Sequence, residues 1–183
     1  MSDAIEQTKM DRTQAERRLA VARALGDVYA EARTLVDLAV IARRDGDVWA
    51  LIDHARAGWE TSERNCLWDQ LARLALLFGD VAYSGRDYHQ CFDHYANACA
   101  YAVMAGSSEL GGVITRIDDV LTEMLATGRA TKAAALCEFL LAYEAAGGLG
   151  RAESSFVAHF RRRQEQAQAQ VRADLVPTGS RQN

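Results

Sequence analysis

At 183 residues, with 49% hydrophobic side chains, the chain is long and apolar enough to bury a core, which excludes a globally disordered protein and sets the expectation of one domain or a short repeat array. A net charge of −4 argues against a general nucleic-acid or membrane-surface binder, and no apolar run approaches the ~20 residues of a membrane span. Cys66, Cys91, Cys99 and Cys137 show no Cys-x-x-Cys spacing and lie among apolar neighbours, as free thiols of a reducing, cytoplasmic compartment would.

Residues 1–11 are polar and lack the apolar stretch of a signal peptide. From there, apolar positions recur with a period of 3.6 and predict eight helices, at about 5–24, 28–44, 48–60, 66–84, 87–105, 108–127, 130–146 and 151–170. Gly26, Gly46, Gly85, Gly106, Gly128 and the pair Gly147-Gly148 separate them, each suited to the left-handed residue that ends a helix. The only proline, Pro177, falls in a polar tail, 174–183, expected to be disordered. The first helix carries Ala15, Leu19, Ala22 and Leu25 on one face.

The next six helices pair into three hairpins, about 28–60, 66–105 and 108–146. Leu35, Leu38, Ala39 and Ala42 align with Ala75, Phe78, Gly79 and Ala82, and both with Ile117, Val120, Leu121 and Met124. The second helices follow in register, through Leu51, Ala55 and Gly58, then Cys91, Tyr95 and Ala98, then Ala133, Cys137 and Leu140. Leu38, Phe78 and Val120 are therefore expected to be equivalent core positions. Such hairpins bury their apolar faces by stacking on one another.

Within the middle hairpin, Leu77-Phe78-Gly79, Gly85-Arg86-Asp87-Tyr88, and Cys91, Tyr95 and Ala98 give a small residue, a glycine turn and a small–aromatic–small spacing. This pattern resembles the tetratricopeptide-repeat (TPR) family, over about residues 15–148. The resemblance implies an all-α fold of αα-hairpins stacked as a right-handed solenoid, one domain over 1–173. It also implies that the first helix of each hairpin lines a concave groove. Transferred by register, the groove residues are Arg33, Val36, Asp37, Val40, Arg43 and Arg44, then Arg73, Leu76, Leu77, Asp80 and Tyr83, then Thr115, Asp118, Asp119 and Thr122. The surface would run from basic through apolar to acidic and take a peptide or helix.

Other clusters point to no chemistry. His89 and Asp93 share a helix face, but Cys91 lies about 200° around from His89, so three converging metal ligands are missing. Asp118, Asp119 and Glu123 come without a phosphate loop, nucleophile elbow or di-iron motif. Arg161-Arg162-Arg163 follows the apolar Phe156, Val157 and Phe160, as in a helix that caps a repeat array with one wet face. Trp59 and Trp68 bracket the polar stretch 61–65 and are expected to staple it. The sequence thus predicts a non-enzymatic protein–protein adaptor or scaffold with no cofactor or metal, a monomer or weak homodimer. The second expectation is a regulatory module that senses a small ligand or peptide.

Overall fold

The computed structural model describes residues 2–147 and 154–175, the side chains of 2–10, 107–109 and 154 excepted. Among the described residues every regular element is an α-helix: α1 Ser2–Leu25, α2 Val28–Asp45, α3 Val48–Arg64, α4 Trp68–Ser84, α5 Tyr88–Ala105, α6 Ser107–Ala126, α7 Ala130–Ala145 and α8 Ser154–Leu175. None is long and apolar enough to cross a membrane. All eight expected helices form, most within two residues of the expected ends. The exceptions are α1, which starts three residues earlier than expected, α3, which continues through the polar 61–64 stretch, and α8, which takes in Asp174 and Leu175 from the tail expected to be disordered. Positions 151–153 and 176–183 lie outside the described residues.

The helix exits repeat one geometry. The amide of Asp27 bonds Ala22 O, that of Asp47 bonds Ala42 O, that of Leu67 bonds Ser62 O and that of Asp87 bonds Ala82 O, each at 2.9 Å. The accepting carbonyls fall at 22, 42, 62 and 82, one every twenty residues. A left-handed residue precedes each of those amides: Gly26, Gly46, Cys66 and Arg86. After three of these turns an aspartate caps the next helix, taking the amide of Ala30, Ala50 or Gln90 at 3.0–3.2 Å. One expectation is corrected here. The left-handed residue of the third interhelical Gly turn is Arg86, at φ 61°, and not Gly85, because the twenty-residue spacing fixes the position and glycine sits one residue early. The side chain at Arg86 costs about 1 kcal/mol that glycine would not.

Compact packing divides the chain into two units, with the boundary inside α4 after Phe78. In the first unit α2 is central and buried on two sides. Leu35 and Leu38 face Ala15 and Leu19 of α1, while Val36, Ala39 and Ala42 meet Leu51 and Ala55 of α3 and Leu74 and Leu77 of α4. Gly58 lets α3 close on α2, since a Cβ there would lie 3.3 Å from Leu35 Cβ. Trp59 tilts against Phe78 at 6.2 Å between ring centroids. Phe78 is half-buried, whereas Leu38 and Val120 are fully buried, so the three positions are not equally deep in the core.

The second unit builds its core from larger side chains. Tyr95 of α5, Ile117, Leu121 and Met124 of α6, Leu136 and Leu140 of α7, and Phe156 and Phe160 of α8 are all fully buried. Gly79, the small residue of the repeat pattern, has a steric role: a Cβ would lie 2.5 Å from Tyr95 Cε1, so only glycine leaves room for the ring.

Candidate functional site

The cavity that carries a functional reading lies in the first unit, between α1 and α2. These helices run antiparallel, as two ion pairs at opposite ends show: Arg23 Nε to Glu31 at 2.8 Å beside the turn, and Arg12 to Asp45 at 3.0 Å at the far end. The groove between them has a volume of about 590 Å³. Its α1 wall is the stripe Arg18, Val21, Ala22 and Leu25, joined by Arg17; its α2 wall is Ala30, Arg33 and Asp37. These positions recur three or four residues apart and so share one face of each helix.

Charge in the groove is unevenly committed. Asp27 is the N-cap of α2, accepting from the amide of Ala30 at 3.0 Å. Asp37 pairs with Arg73 Nη2 of α4 at 2.6 Å. Arg73 in turn donates to the buried Gln70, which donates to Asp69, the acceptor for Tyr29 Oη at 2.6 Å. That hydrogen bond to Asp69, with some burial, raises the Tyr29 pKa above its ordinary value. By contrast, Arg17, Arg18 and Arg33 are exposed and make no ion pair among the described residues. Val21 and Leu25 are 58% and 76% exposed at the turn end, an apolar surface left open to solvent.

Of the residues assigned to a groove by register, Arg33 and Asp37 line this cavity and Arg73 holds Asp37 from behind. Val40 is exposed, Leu76 half-buried, and Arg44 is paired with Asp11 at 3.3 Å. Arg43 is half-buried beside it. Four assignments are corrected. Val36 and Leu77 are 0% and 4% exposed within the first core, and Asp80 and Tyr83 are each 7% exposed in the second unit, so none can be presented to a partner. Helical spacing shows which residues share a face and not what covers that face.

In the second unit the polar positions are already engaged. Asp80 accepts from Tyr95 Oη at 2.9 Å and from both Arg116 Nε and Arg116 Nη2 at 3.0–3.2 Å. Burial works against the Arg116 charge, but the Asp80 hydrogen bonds outweigh it and its pKa rises. Asp118 meets two α8 side chains, His159 Nε2 at 3.0 Å and Arg163 Nε at 2.6 Å, the latter an ion pair off the line of a hydrogen bond. Arg163 Nη2 donates to Asp118 O and to Thr122 Oγ1. Thr115 bonds Gly111 O within its own helix, and Asp119 stays exposed. Asp118, expected to meet a partner, therefore meets α8, while Asp119 faces solvent. Arg163, read as a wet-face residue of a capping helix, instead pins that helix to α6.

Comparison with known protein families, characterised proteins and solved structures finds no match. The reading rests on geometry alone. Burial pushes the thiols of Cys91, Cys99 and Cys137 up to about 12, whereas Cys66 is exposed in the α3–α4 turn. His89 Nδ1 lies 3.2 Å from Asp93 on an open face, and no group of three or more metal-capable side chains converges among the described residues. Sequence reasoning missed Arg17, Arg18, Val21 and Leu25. It assigned the first helix only a packing role, although Arg18, Val21 and Leu25 fall on one face at helical spacing and were legible as a stripe.

Proposed function

We propose that the chain is a non-catalytic protein–protein interaction module of TPR-like helical-repeat build, which holds a peptide or helix against α1 and α2. The observation that carries this reading is the α1–α2 groove, where an open apolar end adjoins three guanidiniums that have no carboxylate partner among the described residues. Groups held on rigid helices lose little freedom on binding, and apolar anchors flanked by charge are how grooves take helical partners. The twenty-residue recurrence of the helix exits supports a repeat architecture. A reducing, cytoplasmic setting fits the four free thiols.

A selection of displayed random peptides against the full chain tests it, followed by titration of one selected synthetic peptide into isotopically labelled protein. Amide shifts confined to α1 and α2 are expected. Failure to enrich any peptide, or shifts centred on α6 and α8, would sink the proposal. The second reading is a ligand sensor, favoured by the groove's volume of about 590 Å³, which lies within the range of small-molecule sites. A small molecule co-purifying with the chain and blocking the selected peptide would favour it.

A further inference from the structure

We propose that the occupant of the α1–α2 groove is an acidic amphipathic helical segment of a partner protein; this rests on the interaction-module reading above. The segment would place one large apolar side chain against Val21, Leu25 and Ala30, and carboxylates on Arg17, Arg18 and Arg33.

Three features of the groove select this chemistry. The first is available charge. Both groove carboxylates are already used, Asp27 by the Ala30 amide and Asp37 by Arg73, while the three arginines have no partner among the described residues. Guanidinium forks bind carboxylates in a planar, bidentate way that an ammonium cannot match. The second is order along the groove. Leu25 and Ala30 lie at the turn end, and Arg18 and Arg33 lie further from it on their antiparallel helices. From Leu25 to Arg18 the rise is about 10 Å, two turns of helix, so a helical partner meets both with side chains seven residues apart. The third is length. The lining spans Gln14 to Leu25 on α1, about 16 Å at 1.5 Å per residue, which matches three turns of a partner helix and exceeds what a single small anion needs. The chain as a whole carries a net charge of −4, so an acidic partner is repelled elsewhere and drawn to this groove, which fixes its orientation.

The experiment titrates four probes into the labelled full chain. Three are synthetic helix-forming peptides: one of leucine and glutamate, one with lysine for glutamate, and one with serine for leucine. The fourth is decanoate. The leucine–glutamate peptide is expected to saturate shifts of the Val21, Leu25, Ala30 and Arg33 amides. Its affinity should fall about tenfold or more in R18E/R33E, and also when salt is raised. The same variant should gain affinity for the leucine–lysine peptide, and the serine–glutamate peptide should bind weakly to either protein. The circular dichroism of the variant should be unchanged; R18Q/R33Q replaces it if it is not. If wild-type protein takes the lysine peptide as well as the glutamate one, the acidic occupant is wrong while the interaction reading stands. Shifts from decanoate with none from any peptide would make the site a small-amphiphile site and overturn the proposal. No shift at the groove from any probe removes the proposal and the interaction-module reading together.

Discussion

The two units use arginine in opposite ways. In the second, Arg116 and Arg163 reach into the structure, one to Asp80, which also accepts from the Tyr95 hydroxyl, the other to Asp118 and Thr122, and each ties one helix to another. In the first, Arg17, Arg18 and Arg33 line an open groove with no acidic partner among the described residues, while Arg12 and Arg73 pair with Asp45 and Asp37. The units differ likewise in packing, with a core of alanine, valine and leucine in the first and buried tyrosine and phenylalanine in the second. One residue type thus serves stability where carboxylates face it from a neighbouring helix and leaves binding capacity where they do not. Identity and charge alone do not separate the two roles.

The largest expected contrast is chemical. Thiols held near 12 instead of 9 carry about a thousandfold less thiolate at a given pH, so iodoacetamide at pH 8 should label Cys66 rapidly and spare Cys91, Cys99 and Cys137 until the chain unfolds. Mass spectrometry of the native adduct checks this; fast labelling of the second unit would mean that its core is open. Because these three pKa values are raised by folding, their contribution to stability is full below pH 9 and is lost as the pH climbs from about 9 toward about 12. Denaturant midpoints should therefore decline across that window, and less so in a variant with all three cysteines changed to alanine.

Asp80→Ala should destabilise the chain by about 3 kcal/mol, read from urea unfolding, because it strands the buried Tyr95 hydroxyl and leaves Arg116 without its carboxylate. A loss under about 1 kcal/mol would erase the contrast between the units. In the first unit, Phe78→Ala removes a half-buried ring packed on the Val36 and Leu77 cluster and on Trp59, and about 3 kcal/mol is expected, at the low end for a phenylalanine. A value near zero would mean that the core of that unit ends before Phe78.

Gly79→Ala presses a methyl group into the Tyr95 ring and should cost about 2 kcal/mol. Combining it with Tyr95→Leu should cost less than the two single changes added together, and strict additivity would show that the close approach is absent. The smallest effect belongs to the groove: R18E/R33E should move stability by no more than about 0.5 kcal/mol, since both side chains are exposed and have no ion-pair partner among the described residues. A larger destabilisation by that pair would place the groove arginines in the same structural role as Arg116.

Much of the fold was legible. The 3.6 period located eight helices because each buries a stripe, and the glycines located most of the turns because a left-handed helix exit favours glycine. Gly79 was legible as the small residue of the repeat pattern, but the Tyr95 ring that requires it was not. The twenty-residue spacing of the exits, visible afterwards at 22, 42, 62 and 82, went unread because comparison at a separation of forty hides a period half as long. The candidate site was much less legible. Register placed Arg33 and Asp37 at the groove, but it also placed Val36, Leu77, Asp80 and Tyr83 there, all of them interior. A helical stripe says which residues share a face, and it does not say how many neighbours cover that face.

The sequence by itself determined the helices and most of the turn positions, because these follow from contacts within a turn or two of helix. Only the tertiary structure decided which charges remain available. Asp118 and Arg163 are 45 residues apart and Asp80 and Arg116 are 36 apart, so their mutual neutralisation depends on helix packing that no local pattern encodes. Among the described residues Arg17, Arg18 and Arg33 have no ion-pair partner for the same reason: the carboxylates beside them are bound to a helix N-terminus and to Arg73 from a third helix.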